Sequence, residues 1–311
     1  MSKLVEREPA PGANSVSATP ALAVQFFLIP LAVVGMVVLV YGGFRMLLTN
    51  ERTPEEYLSD VQFGGRERRW PAAYELSRLM SDPDVELQHP NLGLAIVQAF
   101  ESSEGDDPRV RRYLALAVGR LSNPPTDAVR VLADGLDDPD TDTKISVIWA
   151  LASLGDASVT DSIESMYGSE DAGVRKMAVY ALGSLETDDL SVLRGALEDP
   201  IPDVQWNAAV ALARRGGSDG IRVLRRMLDR DYVERTVTRV PRIDAPLDPV
   251  SEVMISGLQA VAVLRSTELR DTVVSLIETD VSLSVREAAM RTLDLLESGV
   301  TETSEVVRHA R

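Results

Sequence analysis

Two hydrophobic patterns divide this chain. From Pro9 to Phe44 no residue is charged, and from Ala21 to Leu48 the residues are apolar almost throughout, with Gln25 and Arg45 as strongly polar interruptions. About 20 residues at 1.5 Å rise cross a hydrocarbon core of roughly 30 Å, so 21–48 is predicted to be a transmembrane helix preceded by a disordered tail, 1–20. The opening residues mix Lys3 and Arg7 with Glu6 and Glu8, and no small-x-small cleavage site follows. That argues for a retained anchor rather than a signal peptide. Arg45, Arg52, Arg66, Arg68 and Arg69 downstream outweigh Lys3 and Arg7 upstream. The positive-inside rule then puts the C-terminal part in the cytoplasm, on a cell inner membrane crossed once.

After residue 48 the pattern changes to apolar positions at helical spacing. Val174, Met177, Ala178, Ala181, Leu182 and Leu185 share one helix face. The same arrangement begins at Val110, Thr143, Val174, Val204 and Val285, with weaker copies at Arg68 and Val253, and four of the six intervals fall between 30 and 33 residues. A turn signal precedes each clear copy: Asp107-Pro108, Asp138-Pro139, Asp171, Asp199-Pro200 and Asp280. Aspartate there is expected to cap the helix start, and proline suits its first turn. Shorter amphipathic stretches lie upstream, starting at Thr126, Asp161, Asp189 and Gly220. A helical hairpin of this kind cannot bury its apolar face alone. Stacked neighbours can, so the predicted fold is an all-α solenoid of about seven hairpins over 49–297. Two places break the rhythm: residues 81–90, and 231–250, where Pro241, Pro246 and Pro249 suggest an extended excursion. Residues 298–311 are read as a flexible tail.

Asp107, Pro108, Val110 and Arg111, together with Asp171, Val174, Arg175, Ala181, Leu182, Gly183 and Leu185, resemble HEAT repeats, most of all the short bacterial kind found in phycobilin-lyase relatives. The likeness covers roughly 54–297. It implies an armadillo-like α-solenoid and, for function, a binding surface. The same resemblance leaves a bilin-lyase-like or other enzyme working in the concave groove as the alternative. Deoxyhypusine hydroxylases resemble this fold too, but they need several His-Glu pairs for two irons, and no such pair exists in this sequence.

Composition narrows the chemistry further. The net charge of −16 opposes nucleic-acid binding. Cysteine is absent and the only histidines are His89 and His309, so thiolate sites and three-histidine metal centres are excluded. No phosphate loop or nucleophile elbow occurs, and no cofactor, metal or catalytic residue is assigned. Against the acidic background, 214–242 carries nine arginines to four acids: Arg214, Arg215, Arg222, Arg225, Arg226, Arg230, Arg235, Arg239 and Arg242. This cluster is either a dock for an acidic protein segment or anionic headgroups, or a helix face paired with acids of adjacent repeats. The recurring basic position Arg111, Lys144, Arg175 and Arg286 is expected to pair with aspartates of neighbouring turns. Trp70, Trp149 and Trp206 are expected to be packing anchors and His89 a surface residue. The whole points to a non-enzymatic, membrane-anchored scaffold that binds a protein partner, an accessory subunit within a larger membrane complex.

Overall fold

The computed structural model describes residues 29–48, 52–185, 187–237 and 248–309, with side chains described over 30–43 and, towards the C-terminus, up to 298. The tail 1–20, the start of the predicted span at 21–28 and residues 238–247 of the 231–250 insertion therefore lie outside the described residues. Two compact units divide at Thr53 and Pro54.

The first unit contains helix α1 (Ile29–Leu48). Its described side chains, 30–43, are all exposed, Leu39 at 77% and Met36 at 68% among them. Among the described residues no helix is long and apolar enough to cross a membrane.

The second unit is a stack of helical hairpins, seven among the described residues. Their first helices are α2 (Pro54–Phe63), α5 (Leu92–Ser102), α7 (Ala128–Asp134), α9 (Thr160–Met166), α11 (Ser191–Ala196), α13 (Ile221–Met227) and α16 (Arg270–Thr279). The second helices are α3 (Arg66–Leu79), α6 (Pro108–Val118), α8 (Thr141–Leu154), α10 (Ala172–Ser184), α12 (Pro202–Arg214), α15 (Pro249–Leu264) and α17 (Leu283–His309). Two short extra helices interrupt the alternation, α4 (Pro83–Gln88) and α14 (Arg230–Thr236). Each second helix packs on its own first helix and on the second helix of the next hairpin, so α3, α6, α8, α10, α12, α15 and α17 form one unbroken row.

The apolar periodicity becomes the core of this row. Val110, Leu114, Ala115 and Val118 are fully buried, as are Val204, Ala208, Ala209 and Leu212 in the same positions three hairpins later. Successive second helices approach so closely that glycine is needed at the crossing. A β-carbon on Gly119 would lie 2.6 Å from the α-carbon of Ala150, and one on Gly183 would lie 2.5 Å from the β-carbon of Ala211.

Three expectations change. The sixth second helix begins at Pro249, capped by Asp248, and its buried pattern Val250, Ser251, Met254, Gly257, Leu258 and Val261 aligns with Val110 through Leu121. The repeat there starts at Val250, three residues before the position read from sequence, which shortens the interval behind Val204 by the same three residues. Residues 230–236, read as extended, form α14, capped by Asp229 through the amide of Tyr232. The C-terminal tail, read as flexible from 298, continues α17 as helix to His309.

Candidate functional site

The recurring basic position and the turn aspartates build the junctions between hairpins. Asp107 and Asp171 cap their helices as expected, accepting from the amides of Arg109 and Val174. Asp138, Asp199 and Asp280 do something else. Each lies five residues ahead of its repeat start and accepts the amide of the residue two further on, Asp140, Ile201 and Ser282 respectively. The turn thereby buries the carboxylate and aims its other lone pairs at the preceding hairpin. There an arginine meets it: Arg111 Nε donates to Asp138 Oδ2 at 2.6 Å. Arg175 donates to Asp199 through Nε at 2.9 Å and Nη2 at 3.2 Å. In the first hairpin Arg69 makes the corresponding reach to Asp106, one residue closer to its helix start than the others stand.

Where the ladder lacks a member, the sequence supplies the reason. Ser169 stands at the position of Asp138 and Asp199 and keeps the turn by accepting the Asp171 amide. It carries no charge, and Lys144 forms no ion pair with it. In the sixth hairpin the basic position is Ser251, which is buried and held by Asp248. Asp280 instead receives Arg230 from α14, bidentate at 2.9 and 2.7 Å. The short helix of the insertion thus provides the guanidinium that its hairpin lacks. Burial pushes the Asp199 carboxyl up, but hydrogen bonds from Arg175, the Ile201 amide and Tyr167 outweigh it and hold the group below the usual carboxylate range.

Next to the insertion the row of second helices opens into a groove of about 780 Å³. Its walls are Lys176 and Tyr180 of α10, the 203, 207, 210 and 214 stripe of α12, and Glu252, Val253 and Ser256 of α15, with Thr236, Val237 and Pro249 flanking the insertion. Tyr180 is 39% exposed and Ile201 at the rim equally so. Lys176 and Asp203 face each other at 3.7 Å, while Asn207 donates to its own helix at the Asp203 carbonyl, leaving its amide oxygen as an acceptor. The indole N–H of Trp206, a residue only 5% exposed, has no hydrogen-bond partner. The groove therefore offers donors, acceptors and apolar ledges side by side. Among the described residues no group of acids and histidines is arranged to hold a metal ion.

The nine clustered arginines do different things. Arg215 donates to the carbonyls of Leu185 and Thr187 in the preceding hairpin. Arg222 pairs with Glu198 and Arg225 with Glu268. Arg226 donates to Gln205 and lies 5.7 Å from the ring centre of Tyr232. Arg230 is the ladder residue already described. Arg214 lines the groove and Arg235 lies on α14 beside Asp231 and Glu234. Arg239 and Arg242 fall outside the described residues. Of the nine, Arg214 is the one that lines the groove among the described residues, and Tyr180, Asn207 and Glu252, which no charge count singles out, belong to it through the stacking of separate hairpins. Trp206 is buried as expected, and Trp70 and Trp149, half-buried beneath Arg109 and Arg120 at 5.0 and 5.6 Å, also pack against the core. His89 contacts Glu55 at 2.5 Å at the surface.

A HEAT-repeat profile matches residues 95–183 and again 161–240. No curated protein matches the chain in sequence. Among solved structures, an engineered protein is 18% identical over 79% of this chain and 97% of its own, with a TM-score of 0.41. The complex of CpcE and CpcF of phycocyanin lyase, from a Nostoc species, is 17% identical over 79% and 94%, with a TM-score of 0.48. Human deoxyhypusine hydroxylase is 17% identical over 79% and 97%, with a TM-score of 0.34. Residues 95–240 match HEAT repeats, and the hairpin geometry with its continuous row of second helices makes the described residues from Pro54 on an all-α solenoid of HEAT-like repeats.

Proposed function

We propose that this protein is a non-enzymatic scaffold, tethered to a membrane by one N-terminal span, whose solenoid holds a protein partner as an accessory subunit of a larger complex. The observation that carries the reading is the groove across α10, α12 and α15: a largely prebuilt surface of exposed side chains from three consecutive hairpins. It needs little reorganisation to bind. Solenoids use such extended surfaces for recognition. The anchor rests on the apolar run 21–48 and its flanking charges, and the cytoplasmic side of an inner membrane follows from the same charges. Tethering raises the local concentration of partners in the same membrane, so even a weak contact would be occupied.

Mild-detergent affinity purification with mass spectrometry tests the scaffold, run beside a variant carrying Tyr180→Glu and Arg214→Glu. A stoichiometric membrane-complex subunit lost from the variant is expected. Absence of a partner from both samples, or a chromophore absorbing above the protein band, would turn the reading towards an enzyme working in the groove. Alkaline extraction tests the anchor separately: the full chain should stay in the pellet and a chain starting at Thr53 should not.

A further inference from the structure

The floor of the groove is one whole face of α12. Asp203, Trp206, Asn207, Val210, Ala211 and Arg214 all line it. Steps of three and four residues keep them on one side of the helix over about three turns, roughly 16 Å at 1.5 Å per residue. The walls are the neighbouring second helices, α10 through Lys176 and Tyr180 and α15 through Glu252 and Val253. Packed helices stand about 8–10 Å apart, so the two walls are about 16–20 Å apart, wide enough for a helix about 10–12 Å across.

Charge is sorted along that length. Asp203 stands in the first turn of α12 and Glu252 in the first turn of α15, whereas Arg214 ends α12. Lys176 offsets one of the two acids, at 3.7 Å from Asp203. Neither Glu252 nor Arg214 has an ion-pair partner among the described residues. Between the charged ends lie the apolar ledges Tyr180, Val210 and Val253, and the buried, unpartnered indole N–H of Trp206, a donor left without an acceptor.

We infer that the groove seats an amphipathic helix of the protein partner, about three turns long and antiparallel to α12, with an acid in its first turn meeting Arg214 and a lysine or arginine in its last turn meeting Glu252 and Asp203. The inference rests on the scaffold reading and names the chemistry of the partner. A helix repeats its contacts every three or four residues, as the floor does, whereas an extended chain along the same line turns every second side chain away. Two effects set the direction, and they agree. An acid at a helix start and a base at its end suit the docked helix's own dipole. Antiparallel packing also sets each of its ends against an end of opposite sign on α12.

The test places a photo-crosslinking benzoylphenylalanine at Tyr180 in the full chain in its native cells, with the same residue at Leu87, which is 72% exposed, as control. One discrete adduct is expected from position 180 and not from 87. It should map to a helix of the partner with an acid about 11 residues, or three turns, ahead of a lysine or arginine on the same face. Arg214→Glu should lower its yield at least fivefold, and lysine in place of the mapped acid should restore it. Glu252→Lys should act likewise, with rescue by glutamate in place of the mapped base. Both variants should melt within about 4 °C of the parent, since neither side chain has an ion pair to lose. An adduct on an extended segment, on a second copy or on residues 238–247 of the chain itself would overturn the inference. So would a helix of the opposite direction, or a yield indifferent to Arg214 and Glu252. No adduct while a partner still co-purifies overturns the docked helix and leaves the scaffold standing; no adduct and no partner removes both.

Discussion

Replacing Arg111 by methionine keeps most of the side chain's length and removes its charge. The residue left behind, Asp138, has a side chain only 5% exposed, and Arg111 itself only 8%. Breaking a buried ion pair from one side costs about 3–5 kcal/mol, because a charge is left uncompensated where water cannot reach it. The Arg111 guanidinium also lies 4.9 Å from the Phe100 ring centre and donates weakly to the Ser103 hydroxyl at 3.3 Å. In domains of comparable size each kcal/mol moves the melting temperature by about 2–4 °C, so the variant should melt roughly 6–20 °C lower. Arg112 is the internal control. It pairs with Asp142, whose side chain is 61% exposed, and exposed pairs contribute about 0–1 kcal/mol. Arg112→Met should therefore shift melting by no more than about 4 °C. In the double variant Arg111→Met with Asp138→Leu, most of the loss should be recovered, short of about 1–3 kcal/mol for the orphaned Asp140 amide. Melting of the four proteins by circular dichroism decides it. If Arg111→Met and Arg112→Met melt within about 2 °C of each other, burial is not what makes the ladder strong and the reasoning fails.

Ser169→Asp should complete the missing rung and stabilise the chain by about 0.5–1.5 kcal/mol, a gain that vanishes in Lys144→Met; urea titration of the two variants tests this. Gly183→Leu should cost about 1–3 kcal/mol or more, since its β-carbon would overlap Ala211, whereas the same change at Gly195, with nothing near its missing β-carbon, should be tolerated. Asp248→Ala should lower stability by about 0.5–2 kcal/mol through loss of the α15 cap. For pH, the Asp199 carboxyl is lowered in the folded state, so its stabilising contribution is complete above its unfolded value near ~3.9 and is lost as pH falls through the folded value. Melting temperature should drop more steeply below about pH 4 in the parent than in Asp199→Asn, and parallel curves would refute the assignment.

Much of the second unit is legible from residue order alone. The spacing of Val110, Thr143, Val174, Val204 and Val285 sets the hairpins, because a helix face repeating every 30 to 33 residues has no burial partner except its own neighbour. The same reasoning pairs Arg111 and Arg175 with the next turn. It fails at Val253 because two helical registers, starting at Val250 or Val253, are comparably apolar, and only the cap at Asp248 and the burial of Ser251 choose between them. It fails at 230–236 for a related reason: prolines further along the insertion bias the whole stretch towards extended structure, while Asp229 starts a helix locally.

What the sequence by itself determined is the all-α class, the hairpin period and the apolar N-terminal run, since these depend on local periodicity and length. Tertiary structure alone decided that Asp138, Asp199 and Asp280 are turn residues and not helix caps, that Arg230 stands in for the residue missing at Ser251, and that Tyr180, Asn207 and Glu252 share one groove. Those outcomes depend on how far apart stacked helices sit and which side chains the junction buries. A contact such as Arg230 with Asp280, 50 positions apart and off the repeat, leaves no mark on the pattern of either segment read alone.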